Sequence, residues 1–193
     1  MTTRPPQTSA TGQGHATGVT AGKAAASTPK ELEARLLVEL PEEFDQDNDS
    51  DGTGPMDLAD AAANESDQST GEVRLRAEGF VRGHDRSWTD VVSNKDRYIT
   101  LTLLQFGDQA GAEAEAAHTR DVIAGEGALD THFDVPEIPG SFGAGGSDVK
   151  DGYAVVLFVR GPYMVLIDFE DQGSAATAMK GVVPLAESQF GRL

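Results

Sequence analysis

Residues 153–169 read YAVVLFV-RGP-YMVLIDF. Two runs rich in β-branched and aromatic side chains flank a short break at Arg160-Gly161-Pro162, a spacing that predicts a β-hairpin. Every residue from Tyr153 to Val159 is apolar, without the alternation of a strand that has one wet face. Such a strand belongs inside a sheet with both faces covered. The same run is the longest uninterrupted apolar stretch of the chain and falls far short of the roughly 18 to 20 residues of a membrane-spanning helix.

Upstream, Ile99, Leu101 and Leu103 alternate with Tyr98, Thr100 and Thr102, the period-2 pattern of a strand with one buried face over Tyr98 to Phe106. Phe80 to Thr89 reads as its hairpin partner, with Ser93-Asn94-Lys95-Asp96 as the turn. Between the two hairpins, Asp108 caps a predicted helix through about Ala124, with Ala112, Ala116, Thr119 and Ile123 at helical spacing and Gly125 and Gly127 at its end. Phe133 to Val135 reads as a short strand, Pro136, Pro139 and Gly140 as a turn, and Phe142 to Gly146 as a brief pairing segment whose glycines 143–146 turn the chain. Downstream, Ala176, Met179, Val183, Ala186 and Phe190 form an amphipathic helical stripe interrupted by Gly181 and Pro184. An interior proline predicts a kink there, or two short helices with Pro184 opening the second.

The first 29 residues are Thr, Ser, Ala, Gly and Pro with almost no large apolar side chain, and read as a flexible tether. A short helix is predicted after Thr28, with Pro29 in its first turn, Leu32, Leu36, Leu37 and Leu40 on one face, and Pro41 at its end. Glu42 to Gly54 lacks periodicity and reads as a solvated loop. A second helix follows, capped by Thr53 or Gly54, with Pro55 first and Leu58, Ala61 and Ala62 along it; from residue 73 onward the pattern is β. The expected organisation is therefore a tether over 1–30 and a single α+β domain over 31–193, an antiparallel sheet of about four to six strands packed against helices.

The formal charge of −17 is uneven: residues 31–72 carry fourteen acids against Arg35 alone, while 1–30 carry Arg4, Lys23 and Lys30 and no acid. So acidic a chain, without a basic stripe, repels phosphate backbones and anionic membrane surfaces, which argues against a nucleic-acid partner. The absence of cysteine excludes disulfides, thiol nucleophiles and sulfur-based zinc sites. Residues 1–30 hold neither the apolar core of a signal peptide nor a lipidation cysteine, so the expectation from the residues is a cytoplasmic protein or a trimmed mature form. Oligomeric state is left open.

Asp47-x-Asp49-x-Asp51-Gly52 has the spacing that opens a calcium loop, where alternating carboxylates converge on one ion. The position that should supply a bidentate Glu is Leu58, and Pro55 interrupts the run, so a solvated acidic loop fits as well. His15, His84, His118 and His132 show no metal-ligand spacing, and Ser87, Ser93 and Ser141 lack the context of an activated nucleophile. No catalytic residue is singled out. Arg82, Arg86, Trp88 and Arg97 on the first hairpin either line a ligand groove or leave Phe80 and Trp88 as core anchors. Because Phe80, Arg82, Arg86 and Trp88 share a face of a regular strand, burying the aromatics alone requires a break, predicted as a bulge at Gly83.

Several phrases occur in a telling order: Leu36-Leu37-x-x-Leu40-Pro41-x-x-Phe44, Gly79-Phe80-x-x-Gly83-x-x-Arg86-x-Trp88, Phe106 with Gly111-Ala112, Val135-Pro136-x-Ile138-Pro139-Gly140, and Phe158-x-Arg160-Gly161. In these the chain resembles a widespread group of actinobacterial exported proteins and lipoproteins of unassigned function, similar in style to the extracellular sensor domains of bacterial serine/threonine kinases. The resemblance covers residues 31–193 and implies an antiparallel sheet backed by helices, held off a membrane by the tether. Its motifs are structural glycines, prolines and aromatics, and it carries no functional site. The expected function is a non-enzymatic binding or sensing module of the cell envelope, or a secreted one, taking a small apolar or mixed ligand or a protein partner. The alternative is a cytoplasmic acidic adaptor that pairs with a basic protein through residues 39–67.

Overall fold

The computed structural model describes residues 25–38, 40, 44–47, 53–63, 67–90, 97–125, 127–148 and 150–193. In chain order the elements are α1 (Pro29–Glu33), β1 (Phe44–Asp47), β2 (Gly54–Met56), α2 (Leu58–Ala62), α3 (Gln68–Ala77), β3 (Phe80–Asp90), β4 (Tyr98–Phe106), α4 (Gln109–Gly125), β5 (Thr131–Phe133), β6 (Phe142–Ser147), β7 (Asp151–Arg160), β8 (Tyr163–Gln172) and α5 (Ala175–Arg192). The fold is α+β. Eight strands among the described residues make one antiparallel sheet in the order β1-β3-β4-β8-β7-β6-β5, with β2 also paired to β3.

The hairpin read first from the sequence lies at the middle of this sheet. β7 and β8 pair from Asp151↔Gln172 to Arg160↔Tyr163, and Gly161 takes the left-handed φ of 58° that their turn requires. Helices cover both faces of β7: Ala154, Val156 and Phe158 enter a core with α1 and α5, while Val155 and Leu157 face α4. Ile99, Leu101 and Leu103 of β4 join Val165, Ile167 and Phe169 of β8 in the α5-side core.

That core extends to the N-terminal arm, where Leu32, Leu36 and Leu37 are fully or almost fully buried. Two buried glutamines hold the arm by its backbone. Gln105 accepts from the Ser27 N–H (3.0 Å) and donates to the Ala25 carbonyl (3.0 Å), and Gln189 accepts from the Leu37 N–H (2.8 Å) and donates to the Arg35 carbonyl (2.9 Å). Each side-chain amide thus acts as one rung of a β-ladder toward a segment that is not a strand. These contacts begin at Ala25, ahead of the boundary at 31 drawn from composition; residues 1–24 lie outside the described residues.

Several local expectations are corrected. Part of the stretch 42–54 is β1 and β2, which pair in series along one edge of β3. Pro55 is in β2, and it is Asp57 that caps α2 through its box with Asp60. Residues 73–77 are helical, because α3 buries only Gly71 and Leu75 and so writes no apolar stripe into the sequence. The short strand after α4 is Thr131–Phe133, and Gly143–Gly146 are strand throughout β6. Glycine stands at 146 because a Cβ there would come within 1.7 Å of the Ala128 carbonyl oxygen. α5 is a single helix through Pro184, which is exposed, so the alternative of two short helices is set aside. Its buried stripe is Ala178, Val182, Leu185, Ala186 and Gln189, with Met179, Val183 and Phe190 half-buried and Ala176 exposed.

Candidate functional site: a groove on the α4 face of the sheet

The face of the sheet turned toward α4 changes character along its strands. At one end Leu104, Phe106, Leu157 and Met164 pack with Leu75 of α3 and Ala112 of α4. Further along, the same alternation sets out three rows across four strands: Asp85-Thr102-Leu166-Leu157, Ser87-Thr100-Asp168-Val155 and Thr89-Tyr98-Glu170-Tyr153. The sheet floor thus passes from apolar to polar with no break in register.

The second half of α4 supplies a wall of His118, Thr119, Val122 and Ile123, and Leu129 follows the helix end. Two adjoining cavities open here, of about 380 Å³ and about 290 Å³, with Leu129, Val155 and Asp168 common to both. One reaches Met56, Leu104 and Met164; the other opens between Tyr98, Tyr153 and Glu170. Together they form a groove in the size range of small-molecule sites, roughly 300 to 1,000 Å³. Glu115, in the wall, is buried in an ion pair with Arg74 of α3 and accepts from the Thr119 hydroxyl (3.3 Å), which fixes α4 against its neighbour.

The charged side chains lining the two cavities are carboxylates, one of them, Glu115, already paired with Arg74. Among the described residues lining the two cavities there is no Lys or Arg, whereas Glu115, Asp168 and Glu170 are present. The Tyr153 hydroxyl donates to Asp148 (3.2 Å), and its pKa is raised by desolvation first and then by the negative charges of Glu170 and Asp148. Beside the groove, on the same face of the sheet, burial pushes the Asp85 carboxyl up to about 6; the Thr102 hydroxyl opposes that rise and Asp60 adds to it. One oxygen of Asp85, Oδ1, is buried without a hydrogen-bond partner.

No family model matches the sequence, and no curated protein matches it. A solved structure shares this fold. It is the crystal structure of the extracellular domain of PknH from Mycobacterium tuberculosis, 10% identical, with a TM-score of 0.54, covering 86% of this chain and 98% of that one. At that identity the likeness is one of fold alone.

Apart from His118, the residues named from sequence as candidates fall elsewhere. Trp88 is buried in the α5-side core, and Phe80 meets Phe106 edge-on at 6.0 Å in the α4-side core. The break between them lies at Val81, between Phe80 and Arg82, instead of at Gly83. Arg86 is buried with Trp88, donating to the Leu37 carbonyl (2.6 Å) and pairing with Glu33 (3.4 Å), so it anchors the arm. Arg97 pairs with Asp90 and lies over the Phe44 ring at 4.7 Å. His84 is buried, its pKa lowered by desolvation, with Nδ1 on the Asp85 carbonyl (2.9 Å). His118 lines the groove, His132 is on β5, and Ser141 bonds the backbone of Val135; Ser93 and His15 lie outside the described residues. Asp47 ends β1 opposite Ser87, while Asp49 and Asp51 lie outside the described residues.

Tyr98, Tyr153, Asp168 and Glu170 were not singled out from sequence. The signal was present: Asp168 and Glu170 continue the alternation of Met164 and Leu166 with carboxylates, on a strand whose other face is apolar from Val165 to Phe169.

Proposed function

We propose that this chain is a non-enzymatic binding or sensing module of the cell envelope, taking a small, partly apolar ligand into the groove between α4 and the sheet. The groove carries the reading: an apolar inner end and a polar mouth on one continuous strand face, the composition expected of a small-molecule site. Similarity in fold to an extracellular domain supports the envelope location, and no helix among the described residues is long and apolar enough to cross a membrane. Ligand-observed NMR against a library of small amphiphiles and metabolites tests the reading, with Thr100→Trp as the filled-groove variant. Thr100 is half-buried on the groove floor, so a larger ring there occupies the groove instead of the core. Library members that bind the native chain and lose binding in the folded variant are expected. An empty screen, or binding that Thr100→Trp leaves intact, contradicts the reading.

A further inference from the structure

A separate cavity, of about 560 Å³, opens at the edge of the sheet beside the first residues of β3. β2 stops pairing at Met56↔Gly83 and β1 pairs only further along, so among the described residues no strand covers the outer side of Phe80 to Arg82. Met56, Leu58, Phe80 and Val81 give the cavity an apolar wall. Its charged lining is balanced. Two guanidinium groups, Arg82 of β3 and Arg76 in the last turn of α3, stand with two carboxylates, Asp57 and Asp60, at the start of α2.

Arg82 is held there with its donors unmet. The irregularity at Val81 sets it opposite Gln105 of β4, and its Nε is buried without a hydrogen-bond partner. Each neighbour that could pair with it is engaged elsewhere. The Gln105 amide is spent on Ala25 and Ser27 of the arm. Asp57, one residue past the pairing of β2 with β3, turns an oxygen to the N–H groups of Ala59 and Asp60 (2.8 and 3.1 Å), and Asp60 returns one to the Asp57 N–H (2.9 Å). Glu31 senses the Arg82 charge only after its bonds to Thr28, which do most to lower its carboxyl. Among the described residues no carboxylate comes within ion-pair distance of Arg82. Arg76 is 62% exposed and reaches Glu72 at 3.6 Å, a loose surface pair.

A guanidinium with buried, unmet donors favours a carboxylate that can accept from its fork. Asp57 and Asp60 repel a simple anion, and the two arginines repel a simple cation. A molecule that carries both charges satisfies both sides. We infer that this cavity binds a free α-amino acid with an apolar side chain: its carboxylate sits on the Arg82 guanidinium, its ammonium turns toward Asp57 and Asp60, and its side chain packs against Met56, Leu58 and Phe80. The site is independent of the groove proposed above.

Calorimetric titration of the full chain with L-phenylalanine, 3-phenylpropanoate and phenethylamine tests it, together with the side-chain Nε–H resonance of Arg82. Phenylalanine is expected to shift that resonance and to bind at least about tenfold more tightly than either analogue, since each analogue lacks one charge-assisted contact. Arg82→Met takes no hydrogen bond or ion pair from the described residues, so it is expected to keep the melting midpoint while weakening phenylalanine about tenfold to hundredfold. Arg82→Lys, which keeps the charge without the planar fork, is expected to recover part of that loss. Thr100→Trp, which fills the groove, is expected to leave phenylalanine binding unchanged. Either analogue binding as tightly as phenylalanine overturns the inference, as does phenylalanine binding that Arg82→Met leaves intact. Binding that Thr100→Trp removes puts the ligand in the groove and overturns this second site alone. Silence from all three probes also overturns it, and leaves the groove to its own screen.

Discussion

Asp85 holds a carboxylate where the fold gives one of its oxygens no partner. Its folded pKa of about 6 lies above the ordinary 3.8, so the folded state binds the proton more tightly than the unfolded chain does. The sign follows: this group favours folding below pH of about 4, and the contribution is lost as pH rises through about 6. Asp85→Asn, which keeps an acceptor for Thr102 and removes the charge, is expected to stabilise the protein by roughly 1 to 3 kcal/mol at pH 7 and by almost nothing at pH 4. Urea midpoints at the two pH values check this. Gln105 and Gln189 work in the opposite sense, since each satisfies two backbone groups of the arm. Gln189→Leu, close in size but unable to bond, is expected to cost roughly 2 to 4 kcal/mol in equilibrium unfolding and to speed hydrogen exchange at the Leu37 amide. Neither role is legible in sequence. A glutamine that clamps a backbone more than a hundred residues away leaves no periodic trace, and Arg86, read from sequence as a groove residue or as left out of the core that holds Trp88, owes its burial to the Leu37 carbonyl and Glu33.

Elements with strong internal patterning were legible, and those defined by a neighbour were not. The β7–β8 hairpin follows from its unbroken apolar runs and turn residues, β4 from its alternation, and α4 from its helical spacing and terminal glycines. β1 and β2 are short edge strands whose hydrogen bonds to β3 decide them, and α3 has a buried face of two residues. Pro184 does not split α5 for a related reason: the packing of Val182, Leu185 and Ala186 outweighs the local cost of the ring. With the ring exposed and its helical bond missing, Pro184→Ala is expected to raise stability by roughly 1 to 3 kcal/mol, read as a higher melting midpoint. Gly146→Ala is expected to lower it by roughly 1 to 3 kcal/mol. Its new methyl would meet the backbone of Ala128 and Leu129, which edge the groove, so ligand affinity should fall with stability.

At the scale of the molecule the sheet separates two tasks. Its α5 face buries the larger core and receives the arm of residues 25–37, which makes that arm part of the folding unit. Deleting through residue 37 removes Leu32, Leu36 and Leu37 from that core, and the truncated chain is expected to show no cooperative unfolding transition by circular dichroism. The α4 face keeps its apolar packing at one end and gives the other to the groove, where the sequence shows only the alternation of Thr100, Thr102, Asp168 and Glu170. Assembling that alternation into a site required the order β3-β4-β8-β7, which no local pattern encodes. Methyl-resolved NMR during titration with octanol, a small neutral amphiphile, tests the groove most directly. Shifts confined to Leu129, Ile123, Val155 and Leu166, with Ile99, Ile167 and Val182 of the opposite face unmoved, are expected; shifts on the α5 face, or none on either, would contradict a binding groove beneath α4.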